Sequence, residues 1–198
     1  MQRLLRFTLG LLALGPLSGL SGSAHAQTTA NGPFSVTTSW DRTLPVPARF
    51  IVLSNFTGQA VLDRETGLVW ERSPESTRRN LRQAASACHN KAIGGRKGWR
   101  LPAIAELSSL VDPGQADPAL PAGHPFTNVQ FNVPIFQVVY WSSSSFPEET
   151  GAVFVPPFPI TVDTEILSFR DGAVGLASSQ ASSLLAWCVR GPGGNNGR

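Results

Sequence analysis

The chain has 198 residues and a formal net charge of +3, with 16 Lys and Arg against 13 Asp and Glu. This length suits one domain that can bury a hydrophobic core. Arg3 and Arg6 belong to a predicted export signal, and their removal leaves 14 basic against 13 acidic residues. A balance so near neutrality does not indicate a generally nucleic-acid-seeking protein, which relies on a strong overall positive field, so no nucleic-acid partner is predicted.

Residues 1–26 have the pattern of a cleaved signal peptide. A basic start precedes an apolar run over 7–20, and Ala24-His25-Ala26 supplies the small residues that signal peptidase accepts. The run is too short and too interrupted by glycine and proline for a membrane-spanning helix, which needs about 20 apolar residues. We therefore expect a secreted or periplasmic protein without stable membrane insertion.

The two cysteines, Cys88 and Cys188, both remain after removal of the signal. In an oxidising compartment such an even, minimal count indicates one disulfide bond. A metal site is a poorer interpretation, because two distant cysteines without a nearby set of histidines do not make a zinc site. A reactive thiol is the other alternative.

The first half of the chain carries most of the local signals. Residues 27–48 are polar and contain prolines, so an extended, loosely held lead-in is predicted. Strand composition follows at 50–53, and a hairpin is predicted over 61–70. Asn80 with Gln83 three positions later predicts a capped helix that points Cys88 inward. A second helix is predicted after Pro102.

The second half is dominated by loops and short strands. A long loop is predicted over 112–131, and strands are predicted at 138–141, at 152–155 and at 184–189. A hairpin is predicted around Asp171-Gly172, which is a favoured two-residue turn. Residues 192–198 are rich in glycine and asparagine and form a predicted flexible tail. Two early helices followed by short strands indicate an α+β fold with an antiparallel sheet.

Several segments in the right order resemble one family. They include the D-x-x-T-G-L stretch within 61–70, the G-W-R-L-P stretch at 98–102, the G-H-P turn at 123–125, and the short motifs Tyr140-Trp141-Ser142-Ser143 and Trp187-Cys188-Val189-Arg190-Gly191. Together they make residues 49–191 similar to the Lcl C-terminal domain family, named after the end domain of a Legionella collagen-like adhesin.

This resemblance implies a C-type-lectin-like fold, with two helices packed on a twisted antiparallel sheet, related to the formylglycine-generating enzyme group. For the adhesin it implies binding of sulfated glycosaminoglycans. The chain departs from the family in lacking a collagen-like stalk, so a trimer is not implied. Ala103 also stands where relatives often carry Ser or Thr, so the second helix is expected to lack the usual side-chain cap.

The shared motif residues are interpreted as structural. Tryptophans in strands or beside glycine turns are more often core residues than sugar-stacking platforms, and Arg100 is expected to pair with Glu106 or Asp63. The residues in this group are Asp63, Gly67, Trp70, Trp99, Arg100, Pro102, Glu106, Trp141, Trp187 and Arg190.

The candidate glycan-binding residues are five cations near the first helix: Arg78, Arg79, Arg82, Arg96 and Lys97. If the turn after the helix folds back beside it, these cations share one face that suits sulfate or carboxylate groups. The alternative is an ordinary solvated helix face, with Glu71 and Glu75 offsetting the charge.

No catalytic, cofactor or metal residue is predicted. His89 and His124 lack a G-x-S-x-G partner motif, and the adjacent pair Glu148-Glu149 lacks the loop motifs of calcium-dependent lectins. The predicted function is a secreted or surface binding module for carbohydrate, including acidic or sulfated glycans, or for another surface molecule. A degenerate relative of the sulfatase-modifying oxidases and a structural envelope protein remain as alternatives.

Overall fold

The computed structural model describes residues 28–30, 43–131, 138–146, 163–178 and 183–191. The predicted signal peptide, the strand at 152–155, the Glu148-Glu149 pair and the tail at 192–198 lie outside these residues.

The described residues form short strands and three α-helices. In chain order these are β1 (Thr28–Ala30), α1 (Val46–Arg49), β2 (Phe50–Leu53), β3 (Ala60–Asp63), β4 (Val69–Glu71), α2 (Leu81–Asn90), α3 (Ile104–Ser108), β5 (Tyr140–Phe146), β6 (Asp163–Leu167), β7 (Val174–Ser178) and β8 (Val189–Arg190). Two short turns at Ser54–Phe56 and Ile93–Gly95 have 3₁₀ character.

The strands form two sheets, so the prediction of a single antiparallel sheet was wrong. One sheet has the order β1-β2-β3-β4-β8, and β1 pairs with β2 in parallel while the other pairs are antiparallel. The second sheet is antiparallel, in the order β5-β6-β7. Composition and alternation indicate that a strand exists but not which distant strand it joins, and this explains the error. The α+β class itself is confirmed.

The larger sheet is buried on both faces. Phe50 and Val52 of β2 belong to one hydrophobic cluster, whereas Ile51 and Leu53 belong to another. This follows from the two-residue period of a strand, which sends successive side chains to opposite faces. The first cluster contains six aromatic side chains, and the ring of Trp187 lies with its centroid 5.0 Å from those of both Phe126 and Phe169.

Helix α2 begins with the predicted capping box. The side chain of Asn80 accepts a hydrogen bond from the amide of Gln83, and the side chain of Gln83 accepts one from the amide of Asn80. The buried residues of α2 are Ala84 and Cys88. Cys88 forms a disulfide with Cys188, across a sequence separation of 100 residues, so the predicted bridge is confirmed.

Helix α3 is capped from elsewhere in the chain. Ala103 makes no side-chain cap, as expected, and the hydroxyl of Ser144 instead accepts a hydrogen bond from the amide of Ile104 at 3.0 Å. Glu106 accepts the amide hydrogen of Ala103 at 2.7 Å. Ser144 of β5 therefore accepts a backbone N–H at the start of α3 that would have no partner within the helix.

The turn Ile93–Gly95 packs directly on the turn Ser54–Phe56. Gly94 has a φ of +59°, and a Cβ atom there would lie 2.4 Å from the Cα atom of Phe56. Gly95 has a φ of +73°, but an added Cβ would meet nothing within 4 Å. Gly94 is therefore required both by its backbone conformation and by the close approach of the two turns.

We predict that the double variant Cys88→Ala/Cys188→Ala is destabilised, because a cross-link that closes about 100 residues restricts the unfolded chain by up to about 4.7 kcal/mol. Urea unfolding followed by tryptophan fluorescence measures this loss. The native disulfide is checked by denaturing the wild-type protein without reductant, and two reactive thiols in that sample would contradict the cross-linked fold.

We also predict that Gly94→Ala is more destabilising than Gly95→Ala. Both variants carry the cost of a left-handed backbone, about 1–2 kcal/mol. Gly94→Ala adds a clash with Phe56, which corresponds to about 1–3 kcal/mol more for overpacking. The same urea titration compares the two, and equal unfolding free energies would refute the proposed contact between the turns.

Candidate functional site

The four motif tryptophans are core residues. Trp70, Trp99, Trp141 and Trp187 have at most 1% of their surface exposed, so none presents a ring to a sugar. Three of them donate the indole N–H to a backbone carbonyl: Trp99 to Arg96, Trp141 to Arg79 and Trp187 to Glu71, at 2.7–2.8 Å. These bonds tie the core to surface segments of the chain.

Arg78, Arg79 and Arg82 form the first cationic segment, at the start of α2. Arg79 pairs in both directions with Leu184 through backbone hydrogen bonds, and its carbonyl accepts the indole N–H of Trp141. The segment is therefore held in place by its backbone. The side chain of Arg79 forms an ion pair with Glu75 at 2.9 Å, whereas those of Arg78 and Arg82 are exposed.

Arg96, Lys97 and Arg190 form the second cationic segment. The carbonyl of Arg96 accepts the indole N–H of Trp99, and the carbonyl of Lys97 accepts a hydrogen bond from Nε of Arg190 at 2.9 Å. The guanidinium groups of Arg96 and Arg190 lie 4.9 and 6.0 Å from the ring centroid of Phe56. This arrangement places Arg190 of β8 beside the turn that carries Arg96 and Lys97.

The five predicted cations therefore fall into two segments of the chain, one at the start of α2 and one after its end. Its ten residues correspond to about 15 Å. The prediction did not include Arg190 in this set, because its contact with Lys97 spans 93 positions. A usable signal was present nonetheless: residues 76–105 contain seven Lys and Arg and no Asp or Glu.

Two other arginines of the described region are paired with carboxylates. Arg49 binds the buried Asp63 through two hydrogen bonds of 3.0 and 2.9 Å. Arg100 donates two hydrogen bonds of 2.7 Å to Glu106, so its carboxylate partner is Glu106 and not Asp63. Both pairs include residues of the shared motifs, namely Asp63, Arg100 and Glu106. Of the other shared motif residues, Pro102 is buried, and Gly67 has a φ of +75° in the turn between β3 and β4.

Lys91, the residue that follows α2, forms ion pairs with two glutamates, one of which belongs to β4. Lys91 contacts Glu71 at 2.5 Å and Glu75 at 3.0 Å. Burial raises the pKa of Glu71, and the hydrogen bond from Lys91 partly offsets that effect. The same lysine lowers the pKa of Glu75, which is more exposed. Glu71 is also notable because its Oε2 atom is buried without a hydrogen-bond partner among the described residues.

His124 lies in the predicted glycine-histidine-proline turn, with its ring centroid 5.8 Å from that of Phe126. Burial lowers the pKa of its imidazole, and in the described part of the chain no group bonds to its buried Nδ1 atom. A catalytic histidine is normally oriented by a carboxylate or hydroxyl at this atom. Within the described ranges there is also no group of three or more His, Cys, Asp or Glu that would hold a metal ion.

Among the helices of the described residues, none combines the length and apolar character that crossing a membrane requires.

Comparison with known proteins gives one family. No curated protein matches the chain. The Lcl C-terminal domain family matches residues 59–190, which include both cationic segments, Cys88 and Cys188, and the aromatic core. Since this match covers most of the sequence, the chain belongs to the Lcl C-terminal domain family.

Proposed function

We propose that this protein is a binding module of the cell envelope or extracellular space that recognises anionic polysaccharides through its two cationic segments. One observation carries the proposal. Arg78, Arg82, Arg96 and Lys97 are exposed, and none forms an ion pair with an acidic residue of the described region. Their charges are therefore accessible to sulfate or carboxylate groups of a ligand.

Helix stability does not account for the first cationic segment. Cations near a helix N-terminus are disfavoured by the helix dipole, typically by 0.3–1 kcal/mol each. The first turn of α2 nevertheless contains no acidic residue and has Arg82 within it, and Arg78 and Arg79 precede it. Positive side chains added to the positive end of a helix suit an anionic ligand.

The family supports a binding role. It takes its name from the end domain of a collagen-like adhesin, and the resemblance implies a C-type-lectin-like fold. Such a domain acts through exposed side chains and loops carried by a rigid core, as the fixed backbones of both cationic segments suggest here. The disulfide fits export to an oxidising compartment, and the predicted signal peptide supports the same conclusion.

The oxidase alternative is less favoured. Chemistry related to the formylglycine-generating enzyme needs a pair of active-site cysteine thiols, and both cysteines of this chain are joined in the buried disulfide. A purely structural envelope protein would leave the exposed cations without a role.

We predict that Arg78→Ala/Arg82→Ala and Arg96→Ala/Lys97→Ala each lower the salt concentration at which the protein elutes from heparin. For a polyanion such as DNA, each neutralised phosphate contributes about one unit to the slope of log affinity against log salt. We expect each double variant to reduce this slope by about two. Affinity chromatography and titrations at several salt concentrations measure both quantities.

The matched control is Arg64→Ala/Arg170→Ala. It removes the same number of charges, but Arg64 donates to the carbonyl of Ala48 and Arg170 pairs with Asp117 at 3.5 Å. This control should elute with the wild type. If all variants elute together, heparin-type polyanions do not bind through these cations and the proposal fails.

A further inference from the structure

A polar cleft lies beside the junction of the turns Ser54–Phe56 and Ile93–Gly95. Its volume is about 490 Å³, which is within the usual ~300–1,000 Å³ of small-molecule sites. It is lined by Gly58, Gln59, Glu71, Arg72, Ser73, Ile93 and Thr127. The four exposed residues that carry the polyanion proposal are not in this lining, so the cleft is a separate site.

The walls of the cleft are fixed by hydrogen bonds. The guanidinium of Arg72 donates to the carbonyls of Pro125 at 3.0 Å and Gly58 at 3.3 Å, while its backbone carbonyl accepts the amide of Thr127 at 2.9 Å. The side-chain oxygen of Gln59 accepts the amide of Gly94 at 3.0 Å. A site formed in advance loses little freedom when a ligand enters.

The charged groups at the cleft are already engaged with protein partners. Glu71 is paired with Lys91, which also binds Glu75, and Arg72 is bonded to the carbonyls named above. An ionic ligand would have to compete with these contacts. A neutral ligand would not.

Three exposed side chains of the cleft retain polar groups that can bond to a ligand. The hydroxyls of Ser73 and Thr127 are exposed and bond to no residue of the described ranges, and the oxygen bond of Gln59 leaves its amide nitrogen as a donor. The Oε2 atom of Glu71 is also without a partner in those ranges, but it has almost no accessible surface, so it is not one of the groups that a ligand in the cleft reaches. Ile93 adds a half-buried apolar surface.

We propose that this cleft binds a neutral, hydroxyl-rich ligand of the size of a single hexopyranose unit, with Ser73, Thr127 and Gln59 as its hydrogen-bonding groups. Neighbouring hydroxyls of a sugar ring both donate and accept, and they match an array of two hydroxyls and one amide. The less polar ring face of the sugar would lie on Ile93. This assignment is independent of the polyanion proposal.

The test is an NMR titration of the disulfide-bonded chain with the methyl glycosides of glucose, galactose and mannose, and with methyl glucuronoside as the charged comparison. At least one neutral glycoside should shift the amide signals of Gln59, Ser73 and Thr127 in a saturable way. Ser73→Ala and Thr127→Val should each weaken that binding about three- to tenfold, which corresponds to one lost hydrogen bond.

Ser76→Ala is the matched control, because Ser76 is an exposed serine on the same loop outside the cleft, and its binding should equal that of the wild type. The two rim variants, Ser73→Ala and Thr127→Val, decide the matter. The proposal is overturned if no neutral glycoside shifts the cleft signals, if only the glucuronoside does, or if the rim variants bind like the wild type.

Discussion

The disulfide between Cys88 and Cys188 is the constraint on which the rest of the structure depends. Both residues are buried, and the bond joins α2 to the segment that leads into β8. The bond therefore restrains both cationic segments, because the first lies at the start of α2 and Arg190 of the second belongs to β8. Without the bond, these regions are distant in sequence and are brought together by packing and hydrogen bonds alone.

Indole hydrogen bonds connect the buried core to the surface segments that carry the cations. Trp99 holds the carbonyl of Arg96, and Trp141 holds that of Arg79, so each cationic segment is bonded to one buried ring. A buried indole N–H needs an acceptor, and a backbone carbonyl at the surface supplies one. The motif tryptophans are therefore structural residues that have a direct effect on where the charges lie.

The features that the sequence predicted well are local. The hairpin over 61–70 and the capping box at Asn80 and Gln83 depend on residues a few positions apart, and both are present. The disulfide was predictable from the cysteine count and the inferred compartment. In the second sheet the hairpin around Asp171-Gly172 was predicted and is present as the β6–β7 pair, whereas the pairing of β5 with β6 was not predictable, because it is a choice among distant strands.

The parts of the site that were missed are long-range contacts. The bond from Arg190 to Lys97 spans 93 positions, and the Ser144 cap on α3 spans 40. The polar cleft is assembled from four separate stretches of chain, so no spacing of residues indicates it. In each case the residue type was visible in the sequence, but the partner depended on how the segments packed.

The turn Ile93–Gly95 connects the two proposed surfaces. Ile93 lines the cleft, the amide of Gly94 bonds to Gln59 in its wall, and Arg96 follows directly and lies over Phe56. The close packing of Gly94 on Phe56 prevents these groups from moving independently. A polysaccharide that carries neutral and anionic units in succession would therefore meet a hydroxyl-binding cleft and a cationic segment on one rigid element, and little ordering would be lost on binding.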